Sequence, residues 1–262
     1  MENINNKILL SFVTSCIDEL EYLRKTYYDN VKKYTGNNNI EFILINFSEN
    51  ETDGITEYLT INLYDEIKSG KLKYYIKSKS HDEFNIASFK NISFMLANGK
   101  YLYNLDCDNY LDGNEYINLE KSIELYGENI VIHQNDGPSQ ILYGKFIDFN
   151  LSIPNLDNDL IWNETTSRIC FNKETFIDIG GYNENDVFNK IDSNINLLLR
   201  LINSDSRYIH IGLKFENKKP CVNKSPNKYL CNRELAIKDI YSEESEEDIR
   251  IKLKQNIANY NM

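Results

Sequence analysis

Two carboxylates separated by one residue, Asp106-Cys107-Asp108, are the clearest chemical feature of this chain. Leu102, Tyr103 and Leu105 lead into them with the pattern of a strand, so both acids emerge from a rigid element. One such carboxylate can reach a metal ion directly while the other contacts it, or a sugar, through water. Hard oxygen ligands of this kind suit Mg2+ or Mn2+, which keep several waters and share the oxygens of a phosphate. Asp-x-Asp is also a common loop tripeptide. Its reading therefore depends on the elements that carry it.

Those elements alternate. Lys7–Ser15 reads as a buried strand, Glu19–Tyr34 as an amphipathic helix with Asp18 as its N-cap, and Ile40–Phe47 as a second strand. Ile55–Ile67 reads as a helix and Leu72–Ile76 as a third strand. Glu83–Asn98 is a helix ended by Gly99, and Lys100–Leu105 is the fourth strand. This order implies an α/β fold with a Rossmann-like, mostly parallel sheet flanked by helices. Ligands of such sheets bind at the carboxyl ends of the strands. Thr14-Ser15, Asn46-Phe47-Ser48 and Asp106-Cys107-Asp108 are thus expected at one crevice.

The second half is less regular. Asn129–His133 and Ser167–Phe171 read as strands, Gln140–Phe149 as a sheet edge and Pro154–Glu164 as a loop. Lys173–Ile179 is a short helix, Gly180-Gly181 a tight turn, Asp192–Ile202 a helix and Arg207–Ile211 a late strand. Ser242–Tyr260 reads as a charged helix. Residues 1–240 are expected to form one domain, with 241–262 as a C-terminal helical appendage.

Composition narrows the function. The formal net charge of −11 over 262 residues argues against a nucleic-acid partner, which asks for a basic face. An acidic protein that binds a diphosphate needs a local positive centre, and a divalent metal supplies one. Five cysteines without a CxxC pair favour reduced thiols and a cytoplasmic setting. The N-terminal apolar run reads as a core strand. No stretch approaches the roughly 20 apolar residues of a transmembrane helix.

The segment FNIASFKNISFMLANGKYLYNLDCDNYL, Phe84–Leu111, resembles the central segment of family 2 glycosyltransferases. There a helix bearing a polar residue leads to G-x-Y-[ILV]-x-x-L-D-x-D. Lys90-Asn91, Gly99, Tyr101, Asp106 and Asp108 occupy those places. Arg168, Phe176 and Gly180-Gly181-Tyr182-Asn183-Glu184 are similar to the family's G-R-x…F…G-G-[YF]-[DN]-E stretch. The resemblance covers roughly residues 7–212. It departs at Asn46-Phe47-Ser48, where an Asp that contacts uracil is usual, and at Ile191-Asp192, where an acidic pair is usual. Asn194 replaces a further common acid.

The resemblance implies a GT-A fold and a metal-dependent, inverting transfer of a sugar from a nucleotide sugar, a UDP-sugar above all, to a glycan or other hydroxyl acceptor. It implies Asp106 and Asp108 as metal ligands, with His210 completing the shell or serving as a core histidine. Asp192 would be the general base, or a helix N-cap. Thr14, Ser15, Asn46, Ser48, Asn91, Asp106, Arg168, Gly181 and Glu184 would line the nucleotide-sugar site. Arg168 and Glu184 have plainer readings, as a structural ion pair and a surface acid. Trp162 reads as core or a sugar platform, His133 as acceptor-side, Cys107 as packing and Lys90 as a neutraliser of phosphate or part of a solvated helix face. A carbohydrate-binding or scaffold relative without turnover is the competing reading.

Overall fold

The computed structural model describes residues 9–48, 53–77, 85–135, 140–142, 168–184, 193–204 and 207–212. Eight strands form one sheet: β1 (Leu10–Cys16), β2 (Ile40–Asn46), β3 (Leu72–Ile76), β4 (Tyr101–Asn104), β5 (Ile130–Asn135), β6 (Gln140–Leu142), β7 (Ile169–Asn172) and β8 (Arg207–Gly212). Their order is β3-β2-β1-β4-β7-β5-β8-β6. β1, β2, β3 and β4 pair in parallel, as do β5 and β8. β7 lies antiparallel between β4 and β5, and β6 is antiparallel at the edge. The expected mostly parallel α/β sheet is present.

The helices are α1 (Leu20–Tyr22), α2 (Tyr28–Lys33), α3 (Ile55–Asn62), α4 (Tyr64–Lys68), α5 (Ile86–Met95), α6 (Glu115–Tyr126), α7 (Lys173–Asp178) and α8 (Ser193–Asn203). A π-helical turn, Leu23–Tyr27, joins α1 to α2. The stretch read as one helix over Ile55–Ile67 breaks at Leu63. Helix α6 is absent from the expected elements, although Tyr116, Leu119, Ile123 and Tyr126 recur at helical spacing and form its core-facing side. Asp18 does not cap the first helix. It takes a positive φ of 52° and accepts a hydrogen bond from the Ser48 hydroxyl. Glu19 holds the N-cap place, and its side chain does not cap the helix amides.

Strand alternation divides the core into two layers. One face of the sheet packs Val13, Ile43, Ile45, Leu102 and Phe171 against Phe89, Ile92 and Phe94 of α5 and Leu197, Leu198 and Leu201 of α8. The other packs Phe12, Phe42, Leu44, Tyr103 and Ile132 against Leu23, Tyr27 and Val31, with Leu59 of α3 and Leu119 of α6. β2 is buried along its whole length, as a strand flanked on both faces must be. Among its residues, Glu41 is a buried carboxylate. It accepts from Ser11 Oγ at 2.6 Å, the Asn98 amide at 2.5 Å and Lys73 Nζ at 2.6 Å, and so ties β1, β2, β3 and the end of α5 together. Among the described residues, no helix is long and apolar enough to cross a membrane.

Candidate active site

β4 delivers Asp106 to the carboxyl edge of the sheet. The Leu105 amide donates to the Val13 carbonyl at 2.9 Å, and Thr14 Oγ1 donates to the Leu105 carbonyl at 2.7 Å. The chain then turns, with the Asn109 amide donating to the Asp106 carbonyl at 3.0 Å. Cys107 is buried, whereas the side chain of Asp106 is 37% exposed and Asp108 is partly exposed. The acids therefore face outward from a fixed backbone, with the cysteine packed beneath them as expected.

Asp106 rests on a buried cation. Lys90 Nζ lies 3.4 Å from Asp106 Oδ1, which also accepts from Asn104 Nδ2 at 3.4 Å. The reading of Lys90 as a solvated residue is corrected: its side chain is only 7% exposed. It donates to Asn194 Oδ1 at 2.7 Å and lies 5.4 Å from the centre of the Tyr182 ring. The Tyr182 hydroxyl is 3.3 Å from both Asn104 Oδ1 and Asn194 Oδ1, and its one proton is shared between them. A buried ammonium is tolerated only when paired and hydrogen-bonded. Here Asp106 supplies the charge, Asn194 of α8 accepts a hydrogen bond and the Tyr182 ring lies alongside. Asn194, which stands where the resemblance puts an acid, is thus a holder of Lys90.

The Gly180–Glu184 turn is bound to the same helix. Gly180 and Gly181 take φ of 80° and 70°, a region open to glycine at little cost. A Cβ on Gly181 would lie 2.5 Å from Asn91 Oδ1. Asn91 Nδ2 donates to Glu184 Oε1 at 2.6 Å, and Asn85, the N-cap of α5, donates to the Glu184 carbonyl at 2.9 Å. Arg200 of α8 donates to the Gly181 carbonyl at 2.6 Å and to the Ile179 carbonyl. Asp106, Asn91, Gly181 and Glu184 are in this way brought together through α5.

The remaining expected residues divide. Ser15 shares a hydrogen bond of 2.8 Å with Ser93 of α5, on the same face as Asp106. Asn46 belongs to the opposite face, where it donates to Asp53 at 2.5 Å and to Tyr74 Oη at 3.5 Å and accepts from the Ser48 amide at 2.9 Å. Arg168 is buried just before β7 and acts electrostatically on the Tyr103 phenol, whose ring belongs to that opposite core. His133, fully buried, is in register with His210 across β5 and β8. Asp192, Trp162, the Pro154–Glu164 loop and the C-terminal helix lie outside the described residues.

Among the described residues, no group of three or more His, Cys, Asp or Glu side chains is arranged to hold a metal. The donors that are present are compatible with one. Lys90 and Asn104 both contact Oδ1 of Asp106, and Asp106 and Asp108 are both partly exposed carboxylates just after β4. Such a pair suits a Mg2+ or Mn2+ ion whose other ligands are water and phosphate.

No family model matches the chain, and no curated protein matches it. Solved structures do. S. aureus TarS 1-349 in complex with UDP-GlcNAc aligns with a TM-score of 0.59 at 11% identity, covering 96% of this chain and 73% of that one. The same protein in complex with UDP gives 0.57 at 11% identity and covers 79% of this chain. The mannosyltransferase PcManGT from Pyrobaculum calidifontis, in complex with GDP-Man and Mn2+, gives 0.54 at 12% identity over 78% of this chain. The fold is GT-A. Against the UDP complex of TarS 1-349 the chain spans 58% of its counterpart, and against PcManGT 54%.

Proposed function

We propose that this chain is a glycosyltransferase. It moves a sugar from a nucleotide sugar, a UDP-sugar first, to a glycan or other hydroxyl acceptor, with Mn2+ or Mg2+ and inversion at the anomeric carbon. The observation that carries the reading is the Asp106 carboxylate, half-exposed at the end of β4 and held from behind by Lys90, Asn104, Asn194 and Tyr182. The structural neighbours crystallised with UDP, UDP-GlcNAc and GDP-Man with Mn2+ support the donor class.

Asp106 and Asp108 would hold the cation, with His210 as a further candidate ligand. When bound, the ion neutralises charge on the departing diphosphate. The chain's own residues do the rest. Asn91 and Gly181 present Glu184 to the sugar hydroxyls, Lys90 fixes Asp106, and Asp192 takes the proton of the acceptor hydroxyl as it attacks opposite the leaving diphosphate. Thr14, Ser15, Asn46 and Ser48 line the nucleotide end in this reading, and Arg168 serves the diphosphate.

A second reading, a GT-A protein that binds carbohydrate without turnover, is favoured by Asn46, whose amide is already engaged by Asp53 and Tyr74. Mn2+-dependent hydrolysis of UDP-sugars separates the two. Turnover that disappears in Asp106→Asn supports the transferase. Absence of both turnover and a thermal shift with UDP plus Mn2+ sinks it. Asp192→Asn with near-wild-type turnover would remove Asp192 from the base role.

A further inference from the structure

The loop that bears the two carboxylates has no ladder of its own. From Leu105 to Asn114 the backbone is neither helix nor strand, so its polar groups must find partners elsewhere. Four of them, the Cys107, Asn109 and Leu111 carbonyls and the Leu111 amide, find them on one helix, while the Asp112 and Gly113 amides donate to Glu115 of α6. The Thr26 hydroxyl, in the π-helical turn, has one proton shared between the Cys107 carbonyl and the Tyr22 carbonyl, the latter at 2.8 Å. Asn30 of α2 donates from Nδ2 to the Asn109 carbonyl at 2.8 Å and accepts at Oδ1 from the Leu111 amide at 2.8 Å. Lys33, one turn on, donates to the Leu111 carbonyl and lies 4.0 Å from the centre of the Tyr110 ring.

The spacing 26, 30, 33 puts the three side chains on one helix face, and their targets are alternate residues of the loop. Asn30 is central and fully buried. Asn is a poor choice inside a helix, because its amide competes for backbone groups, and a buried amide is costly unless both ends are satisfied. Here both ends are spent on the turn that carries Asp108.

We propose that Asn30 is a positioning residue for the Asp106–Asp108 carboxylate pair. Its carboxamide fixes the backbone at Asn109 and Leu111, and Thr26 and Lys33 fix it on either side, so the pair is preorganised before any ligand arrives. A site loosened by about 1 Å loses much of its use, because productive geometry is held to about 0.5 Å. The inference rests on the reading of this pair as a cation and diphosphate site.

The test uses the full chain as Asn30→Leu, with Leu59→Ala as a control that weakens a buried contact of α3 away from the loop. The first measurement is amide exchange without metal. The Leu111 amide is expected to exchange at least tenfold faster in Asn30→Leu and to be unchanged relative to its neighbours in Leu59→Ala. The second is Mn2+ binding, read from the spectrum of free Mn2+. A loss of fivefold or more is expected in Asn30→Leu and none in Leu59→Ala. Unchanged Leu111 exchange in Asn30→Leu overturns the proposal, as does equal weakening of Mn2+ binding by both variants. A wild-type chain that binds no Mn2+ overturns the cation reading instead, and the exchange result then decides the positioning role by itself.

Discussion

Asn91 and Tyr182, 91 positions apart, close a two-way hydrogen bond: the Tyr182 amide donates to Asn91 Oδ1 at 2.7 Å and Asn91 Nδ2 donates to the Tyr182 carbonyl at 2.9 Å. Both residues are buried, so this pair welds the Gly-Gly turn to α5. Asn91→Leu would leave a buried amide and a buried carbonyl unpaired, at a cost of about 2–4 kcal/mol. Denaturant unfolding checks the loss, and sugar-nucleotide turnover should fall with it because Glu184 loses its partner.

Glycine substitutions should separate by geometry. Gly99→Ala would set its Cβ 2.6 Å from Ser11 Oγ and 2.7 Å from Ser11 N, backbone and a buried hydroxyl that cannot step aside. A destabilisation of about 1–3 kcal/mol is expected. Gly36→Ala meets nothing within 4 Å and has no positive φ. It should leave stability unchanged to within about 0.5 kcal/mol. Parallel thermal melts of the two variants decide the matter.

Glu41 carries a pH dependence. Burial by itself raises its pKa, but the hydrogen bonds from Lys73, Ser11 and the Asn98 amide outweigh burial and hold the carboxyl below the ordinary carboxylate range. A depressed carboxylate contributes stability that is present above its unfolded pKa of about 4.3 and is lost as pH falls through the folded value. Acid unfolding of the wild type should therefore steepen below about pH 4. Glu41→Gln should flatten that limb; an identical acid limb in the variant would rule this carboxylate out as a source.

Lys90→Met tests the charge beneath Asp106. The ammonium repels a cation bound to the same carboxylate, by on the order of 1–2 kcal/mol if the two charges lie about 5 Å apart in a watery setting. Mn2+ should bind roughly tenfold tighter to the variant. Removing the buried member of the pair leaves the partly exposed Asp106 without its cation and buried Asn194 Oδ1 without its nearest donor, so a destabilisation of about 1–3 kcal/mol is expected. Weaker Mn2+ binding would instead mean that the fixing of Asp106 by Lys90 outweighs this repulsion.

The first four strands, α5 and the placement of Asp106 were legible because they depend on local period: buried runs, one amphipathic helix, a strand running into two acids. What was illegible depends on partners distant in the chain. No local pattern tells that β7 enters antiparallel between β4 and β5, that Lys90 turns inward to Asp106, or that Asn194 takes up its other side. Nor does local pattern tell that the Thr14 hydroxyl donates to the Leu105 carbonyl. Asp18 was read as a cap from its type and place alone, and the Ser48 hydroxyl claims it instead. Thr26, Asn30 and Lys33 look like ordinary helix residues until the loop beneath them is seen.

The place of β7 also sets an order of assembly. Its residues, Ile169–Asn172, form the seam between β4 and β5, yet they follow both in the chain. A ribosome adding about 5–20 residues per second exposes β4 with its open edge for several seconds before the strand that covers it is made. Until then β1 to β4 can pair among themselves while β5 has no neighbour to join. The unpaired edge of β4, next to the Asp106–Asp108 loop, is where a growing chain is open to pairing with the wrong strand.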